Sequence, residues 1–329
     1  MSITRHGHPS VGSYFVFLFL RLTLRPLLSL WPLTEAGMSI LPKLDAKITD
    51  KAPSPRGVVT EWVTLGGRRT ELTMPAGPSR GDCDTAILYL HGGAFVVAGI
   101  GTHRGITGRL SRATGLPVFA LEYRQLPEAG VGTSVADALD AYRELLTERG
   151  YRRIVVAGDS AGGYLCGKVI ELAEGAGLPA PTAWIGYSPW LDLDADANPD
   201  RSSRSDSYLS IGKMRTLVPL LDRGPVALAG IRNLVDVDPR RFPPTILITA
   251  ENEMLEPDAI VLAERLMAAA VEVQLHSYAW QVHAFPMLIE DLPESREALR
   301  LTADFATAAV RAARNTDTRG ADARDEQVG

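Results

Sequence analysis

A serine becomes a nucleophile when a histidine takes its proton, a carboxylate orients that histidine, and N–H groups receive the oxyanion that forms. The chain carries candidates for each part. Ser160 stands in Gly158-Asp159-Ser160-Ala161-Gly162-Gly163, a G-x-S-x-G pattern. Ile154, Val155, Val156 and Ala157 lead into it, and Leu165, Val169 and Leu172 follow on one helical face. The pattern therefore sits on a strand-turn-helix junction. Such a turn exposes the hydroxyl at a strand end with a helix N-terminus behind it, which favours developing negative charge. Gly158 and Gly162 belong there because strand and helix come too close for a Cβ.

Six histidines are available as the base. His283 lies in the loop Trp280-Gln281-Val282-His283-Ala284-Phe285, just after the last expected strand, where a strand end delivers a side chain toward the serine. His6 and His8 are expected in a frayed N-terminus. His103 has no carboxylate at a suggestive spacing, and His276 alternates with Val273 and Leu275 in mid-strand, facing out of the sheet. The acid should lie between serine and histidine in the chain. Just past the strand Thr245–Ala250 come Glu251, Glu253, Glu256 and Asp258. Asp258 falls at a helix start, where capping is its ordinary role. Glu253 is the expected acid and Glu251 the second candidate. Leu90-His91-Gly92-Gly93-Ala94-Phe95 places small residues after another strand. N–H groups of Gly92, Gly93 or Ala94, with that of Ala161, are the expected oxyanion donors.

These groups need a scaffold that ends several strands at one edge. Residues 59–65 and 70–74 flank Gly66-Gly67 as a hairpin, and apolar runs follow at 85–90, 117–123, 154–157, 183–187, 245–250 and 273–278. Amphipathic helices are expected at 134–146, 259–270 and 293–313. Eight strands, the later ones alternating with helices, predict one α/β domain with a mostly parallel sheet covered on both faces. The alternation is lost between Trp190 and Arg241, where an insertion would sit above the strand ends. Tyr14–Leu20 is apolar but interrupted afterwards by Arg21, Arg25 and Pro26, so it is expected as an apolar or amphipathic helix too short to span a bilayer. It would pack on its own domain, cover the site or lie on a membrane surface. Pro42, Pro53 and Pro55 mark an irregular connection.

The 329 residues suffice for one large α/β domain, and 46% are hydrophobic. A net charge of −5 and a pI near 5.7 argue against nucleic acid as a partner. Cys83 and Cys166 form no disulfide framework, which points to a cytoplasmic setting, and no metal or nucleotide motif is present.

Taken together, the chain resembles the hormone-sensitive-lipase-like esterases, bacterial family IV of the α/β-hydrolase fold. The resemblance spans about residues 58–310. It rests on His91-Gly92-Gly93-Ala94-Phe95, Glu122-Tyr123-Arg124 with Pro127-Glu128, Gly158 to Gly163, Ser188-Pro189-Trp190 and Tyr278 to Phe285. It implies a carboxylesterase for short- to medium-chain acyl esters, working through Ser160, His283 and Glu253 and an acyl-enzyme, without cofactor or metal. It also implies a helical cap built from residues 1–50 and an insertion at about 191–241, after the sixth strand. The catalytic domain would be 51–314 and residues 315–329 a disordered tail. The chain departs from the family pattern at Ala94, usually glycine, and at Glu253-Met254, usually aspartate-proline. Ala129-Gly130-Val131-Gly132 stands in place of the usual H-P-F-P. A small-molecule ester is the implied partner. The N-terminal segment offers peripheral membrane contact, and an edge strand offers pairing in a homodimer. An acyltransferase with the same triad, or a ligand-binding member without turnover, stands as the alternative.

Overall fold

Parallel strands covered on both faces must be apolar on both, and the central runs of this chain are. The computed structural model describes residues 2–49, 54–77, 84–251 and 253–325. Its strands are β1 (Ser2–His6), β2 (Val58–Leu65), β3 (Arg68–Pro75), β4 (Thr85–Leu90), β5 (Val118–Leu121), β6 (Arg153–Asp159), β7 (Ala183–Tyr187), β8 (Thr245–Ala250) and β9 (Val273–Tyr278). They form one sheet in the order β1-β9-β8-β7-β6-β4-β5-β3-β2, antiparallel only where β3 pairs β2 and β5. The helices are α1 (Val11–Leu22), α2 (Leu24–Leu30), α3 (Glu35–Thr49), α4 (Ile100–Thr114), α5 (Val131–Thr147), α6 (Ala161–Ala173), α7 (Ile211–Leu221), α8 (Glu256–Ala268), α9 (Phe285–Leu288) and α10 (Pro293–Asp325).

The period of two along each strand divides the core. Leu88 and Leu90 of β4 face a cluster with Leu165 and Val169 of α6 and Leu262 and Leu266 of α8. Ile87 and Tyr89 face the opposite cluster, with Ile106 and Leu110 of α4 and Phe305 and Ala306 of α10. All these side chains are buried, and at about 25 cal/mol per Å² their burial is the main favourable term holding the sheet rigid under the site.

The structure corrects the sequence reading in several places. The sheet has nine strands rather than eight, because Ser2–His6 pairs in parallel with β9. Main-chain hydrogen bonding to an open sheet edge orders this polar segment, which carries no apolar run to announce it. His6 is therefore not frayed. Its Nε2 lies 3.1 Å from His276 Nδ1 and its ring stacks on Tyr278, so His276 is covered rather than solvent-facing. Pro42 falls inside α3. Residues 315–325, expected to be disordered, continue α10, with Asp317 paired to Arg153 and Arg314 to Asp84. Finally, α1 and α2 run almost end to end, so that Val11–Leu30 is long and apolar enough to cross a membrane. Only one of their sides packs on the domain. Cys83, Pro53 and residues 326–329 lie outside the described residues.

Candidate active site

The turn from β6 into α6 places Ser160 at φ 49° and ψ −119°, an unfavourable conformation for a residue with a Cβ. The surrounding contacts over-determine it. Ser160 N–H donates to the Tyr187 carbonyl at 3.0 Å, and the Ser160 carbonyl accepts from Trp190 N–H at 2.9 Å. A Cβ on Gly158 would sit 2.6 Å from the Leu90 carbonyl oxygen, and one on Gly162 1.8 Å from the same atom. Both glycines are thus required by close approach, as their positions in the motif predict.

His283 and Glu253 reach each other from the ends of β9 and β8. His283 Nδ1 lies 2.8 Å from Glu253 Oε2, and both side chains are buried. Burial alone would lower the imidazole pKa, but the Glu253 carboxylate, by charge and hydrogen bond, raises it above the usual 6.5. His283 Nε2 is buried and has no hydrogen-bond partner among the described residues. It belongs to a side chain that lines the same cavity as Ser160. The Glu251 side chain lies elsewhere: it is partly exposed and 3.7 Å from Arg5. Asp258 does not cap α8 either. Its carboxylate binds Arg201 and, at 2.7 Å, Asn198, and so ties the 191–241 insertion to the domain.

Asp206 and Tyr208, not anticipated from the sequence, hold this corner in place together with Ser188. Asp206 Oδ2 accepts the Met254 N–H at 2.8 Å, next to Glu253, while Oδ1 accepts the Tyr208 and Leu209 N–H groups. Tyr208 Oη donates to the His283 carbonyl at 2.9 Å, and Ser188 Oγ accepts from Ala284 N–H at 3.0 Å. Asp206 and Tyr208 sit in a stretch with no periodicity, and only their tertiary neighbours mark them.

On the other side of Ser160 the Gly-rich loop is organised by a second buried pair. Asp159 accepts from Tyr89 Oη at 2.8 Å and lies 3.1 Å from His103 Nε2. His103 Nδ1 faces the Gly99 carbonyl at 2.8 Å. Both ring nitrogens thus face acceptors, which an imidazolium satisfies. Burial opposes the charge, yet Asp159 raises the His103 pKa, and His103 in turn brings the Asp159 carboxyl below its usual range against the opposing effect of burial. Neighbouring His91 is pushed down to about 4 by burial and by His103, so it is neutral. The sequence offered no hint of the His103–Asp159 contact because 56 residues separate them.

This network also alters the expected oxyanion set. Gly92 N–H points at Asp159 Oδ1, at 3.1 Å, rather than into the cavity. The N–H groups of Gly93, Ala94 and Ala161 have no acceptor among the described residues. Gly93, Ala94 and Phe95 all have positive φ, at 112°, 55° and 61°. Ala94 therefore occupies a backbone position that suits the glycine more usual there.

The cavity above Ser160 has a volume of about 490 Å³ and mostly apolar walls. Leu24, Leu28, Trp31 and Leu33 contribute from the N-terminal segment, and Met214 and Leu217 from α7 in the insertion. No cluster among the described residues could hold a metal ion.

The chain as a whole is similar to known proteins. A family profile described as alpha/beta hydrolase fold matches residues 87–287. The chain is 30% identical over 320 residues to the carboxylesterase/phospholipase LipF of Mycobacterium tuberculosis, covering 93% of this chain and 83% of that protein. It is 31% identical over 257 residues to an acetyl-hydrolase of Streptomyces hygroscopicus, covering 74% and 81%. Among solved structures, an esterase from the bacterial hormone-sensitive lipase family superposes with a TM-score of 0.78 at 26% identity, covering 92% of this chain and all of that one. An esterase/lipase from an uncultured bacterium gives the same TM-score at 28% identity, covering 91% and 99%.

Proposed function

Because this chain belongs to the α/β-hydrolase fold family, as a hormone-sensitive-lipase-like ester hydrolase, we propose that Ser160, His283 and Glu253 form its catalytic triad and that short- to medium-chain acyl esters are its substrates. The observation that carries the reading is the buried His283 Nε2, unpartnered beside the cavity that Ser160 lines, while Nδ1 is held by Glu253.

In this reading His283 Nε2 takes the Ser160 proton as the oxygen attacks the ester carbonyl. The carbonyl oxygen becomes an anion held by N–H groups of Gly93, Ala94 and Ala161, where one such donor contributes about 3 kcal/mol to barrier lowering. Glu253, whose pKa burial raises against the opposing pull of His283, keeps the imidazole tautomer with Nδ1–H toward itself. The C–O bond to the alcohol breaks, and His283 gives the leaving oxygen its proton. Water then attacks the acyl-enzyme, passing its proton to His283; the bond from the acyl carbon to Ser160 Oγ breaks, His283 gives that proton to Oγ, and the acid is released. The apolar cavity walls fit an acyl chain, and its size favours chains shorter than those of long-chain lipids. The N-terminal helices and α7 act as the cap over this cavity.

Hydrolysis of p-nitrophenyl esters from acetyl to long acyl chains tests the proposal, with Ser160→Ala and Glu253→Gln beside the wild type. Turnover that declines with long chains, vanishes in Ser160→Ala and drops steeply in Glu253→Gln is the expected result. Near-normal rates in Glu253→Gln would remove Glu253 from the triad. Wild type that binds esters without turning them over would overturn the catalytic reading.

A further inference from the structure

Helices that cover a water-soluble domain turn their apolar side inward. Helix α1 does so with Val16, Phe17 and Leu20, which pack against the core, but α1 and α2 also turn a second apolar face outward. Val11, Phe15, Leu18, Phe19, Leu22 and Leu30 are between 50% and 83% exposed. Within α1 the first five recur at i, i+4, i+7, i+8 and i+11, so they form one face. The polar groups point the other way and act as tethers. Ser13 is buried and accepts from Gln281 Nε2 at 2.7 Å. Arg21 and Arg25 donate to the Asp206 carbonyl at 2.8 and 2.6 Å, and Arg21 also to that of Arg204 at 2.7 Å.

We propose that the outer face of α1 and α2 is a docking surface for an anionic lipid bilayer, on which the helices lie in the plane of the interface. Three observations choose this occupant. An apolar strip of this length is larger than a monomer leaves in water without a use for it. Residues 1–34 contain three arginines and no aspartate or glutamate in a chain of net charge −5, so the formal charge of the segment itself complements an anionic surface. The arginine and serine tethers hold the helices on the domain, which places them along a surface rather than through it. The inner side of the same segment, at Leu24, Leu28 and Trp31, lines the cavity above Ser160. Docking therefore brings the cavity wall itself to the lipid, and a substrate dissolved in the membrane has a short path to the serine. The surface goes beyond the esterase reading and stands without it.

The test is flotation of the full chain with phosphatidylcholine vesicles, with and without phosphatidylglycerol, for wild type and Phe15→Glu/Phe19→Glu. Wild type should float with the anionic vesicles, less with the neutral ones, and be released by alkaline carbonate. The double variant should lose more than about tenfold in partitioning. Its turnover of a soluble acetyl ester should stay within about twofold, which shows that it is folded. Wild type remaining at the bottom of the gradient with both vesicles overturns the proposal, as does a double variant that floats equally well. Resistance to carbonate would show a spanning anchor instead. A lipid-free dimer that the double variant dissociates would show that a second copy covers the face. Vesicle binding and soluble turnover are read separately, so loss of either leaves the other reading to stand or fall alone.

Discussion

On one side of Ser160, His283 Nδ1 meets Glu253 at 2.8 Å; on the other, His103 Nε2 meets Asp159 at 3.1 Å. Both pairs are buried and in both the carboxylate raises the imidazole pKa. They differ at the second ring nitrogen. That of His103 faces the Gly99 carbonyl, whereas that of His283 has no partner among the described residues. A perturbed pKa with a carboxylate neighbour therefore does not by itself mark a proton carrier. An unsatisfied nitrogen beside a cavity does, since burying a polar atom without a partner is costly and persists where something else is to bind there. In the proposed reading the first pair exchanges a proton and the second holds a loop.

The largest expected effect would break the comparison outright. His283→Gln should lower kcat about 10⁴-fold on a soluble p-nitrophenyl ester, while His103→Gln should cost no more than about 10²-fold. Equal losses would mean that both pairs move protons. Next, Glu253→Gln should cost between about 10² and 10⁴-fold and change the pH profile. Proton removal requires neutral His283, so wild-type kcat/KM should fall with decreasing pH through a midpoint above the ordinary histidine value of 6.5. Without the Glu253 charge that midpoint should move to lower pH. A midpoint that stays in place would detach Glu253 from the titrating group.

On the second side the effects are smaller and structural. Asp159→Asn should slow kcat by about tenfold by loosening the Gly92 contact beneath the oxyanion loop, with little change in KM. Its stability cost should depend on pH. His103 has a raised folded pKa, so its contribution is complete below its ordinary 6.5 and is lost as pH rises through the folded value. Asp159 has a depressed one, so its contribution is complete above its ordinary 3.8 and is lost as pH falls through the folded value. The Tm difference between wild type and Asp159→Asn should be widest between those two ordinary values, by thermal melts across the range. Least of all, Ala94→Gly should leave kcat within about threefold and Tm nearly unchanged, because relief at φ 55° is offset by the greater freedom of glycine in the unfolded chain. A large kinetic loss would show that the Ala94 methyl, and not only its N–H, shapes the site.

Local signals account for what was legible beforehand. Ser160 is recognisable because strand, turn and helix are contiguous in the chain, and the glycines that permit the turn lie within two residues of the serine. His283 is recognisable from its place after β9. The two candidates Glu251 and Glu253 lie too close together for chain position to separate them, yet they diverge in space, one toward Arg5 and one toward His283. Strand β1 escaped notice because its order comes from the open edge of β9 rather than from its own residues. The exposed apolar face of α1 was equally hidden: periodicity shows that a segment is helical, but not which side meets the domain.

The sequence by itself determined the class of sheet, the order of its central elements, and the proposed nucleophile and base, because each depends on patterns a few residues long. Tertiary structure alone decided which carboxylate meets His283, that Gly92 N–H is committed to Asp159, that Asp206 and Tyr208 brace the site, and that α1 and α2 turn apolar residues outward. The physical reason is common to all four. Each rests on contacts between residues far apart in the chain, and hydrogen bonds tolerate only tenths of an ångström. Distances that fine are set by strand register and helix packing, which exist only once the whole sheet has formed.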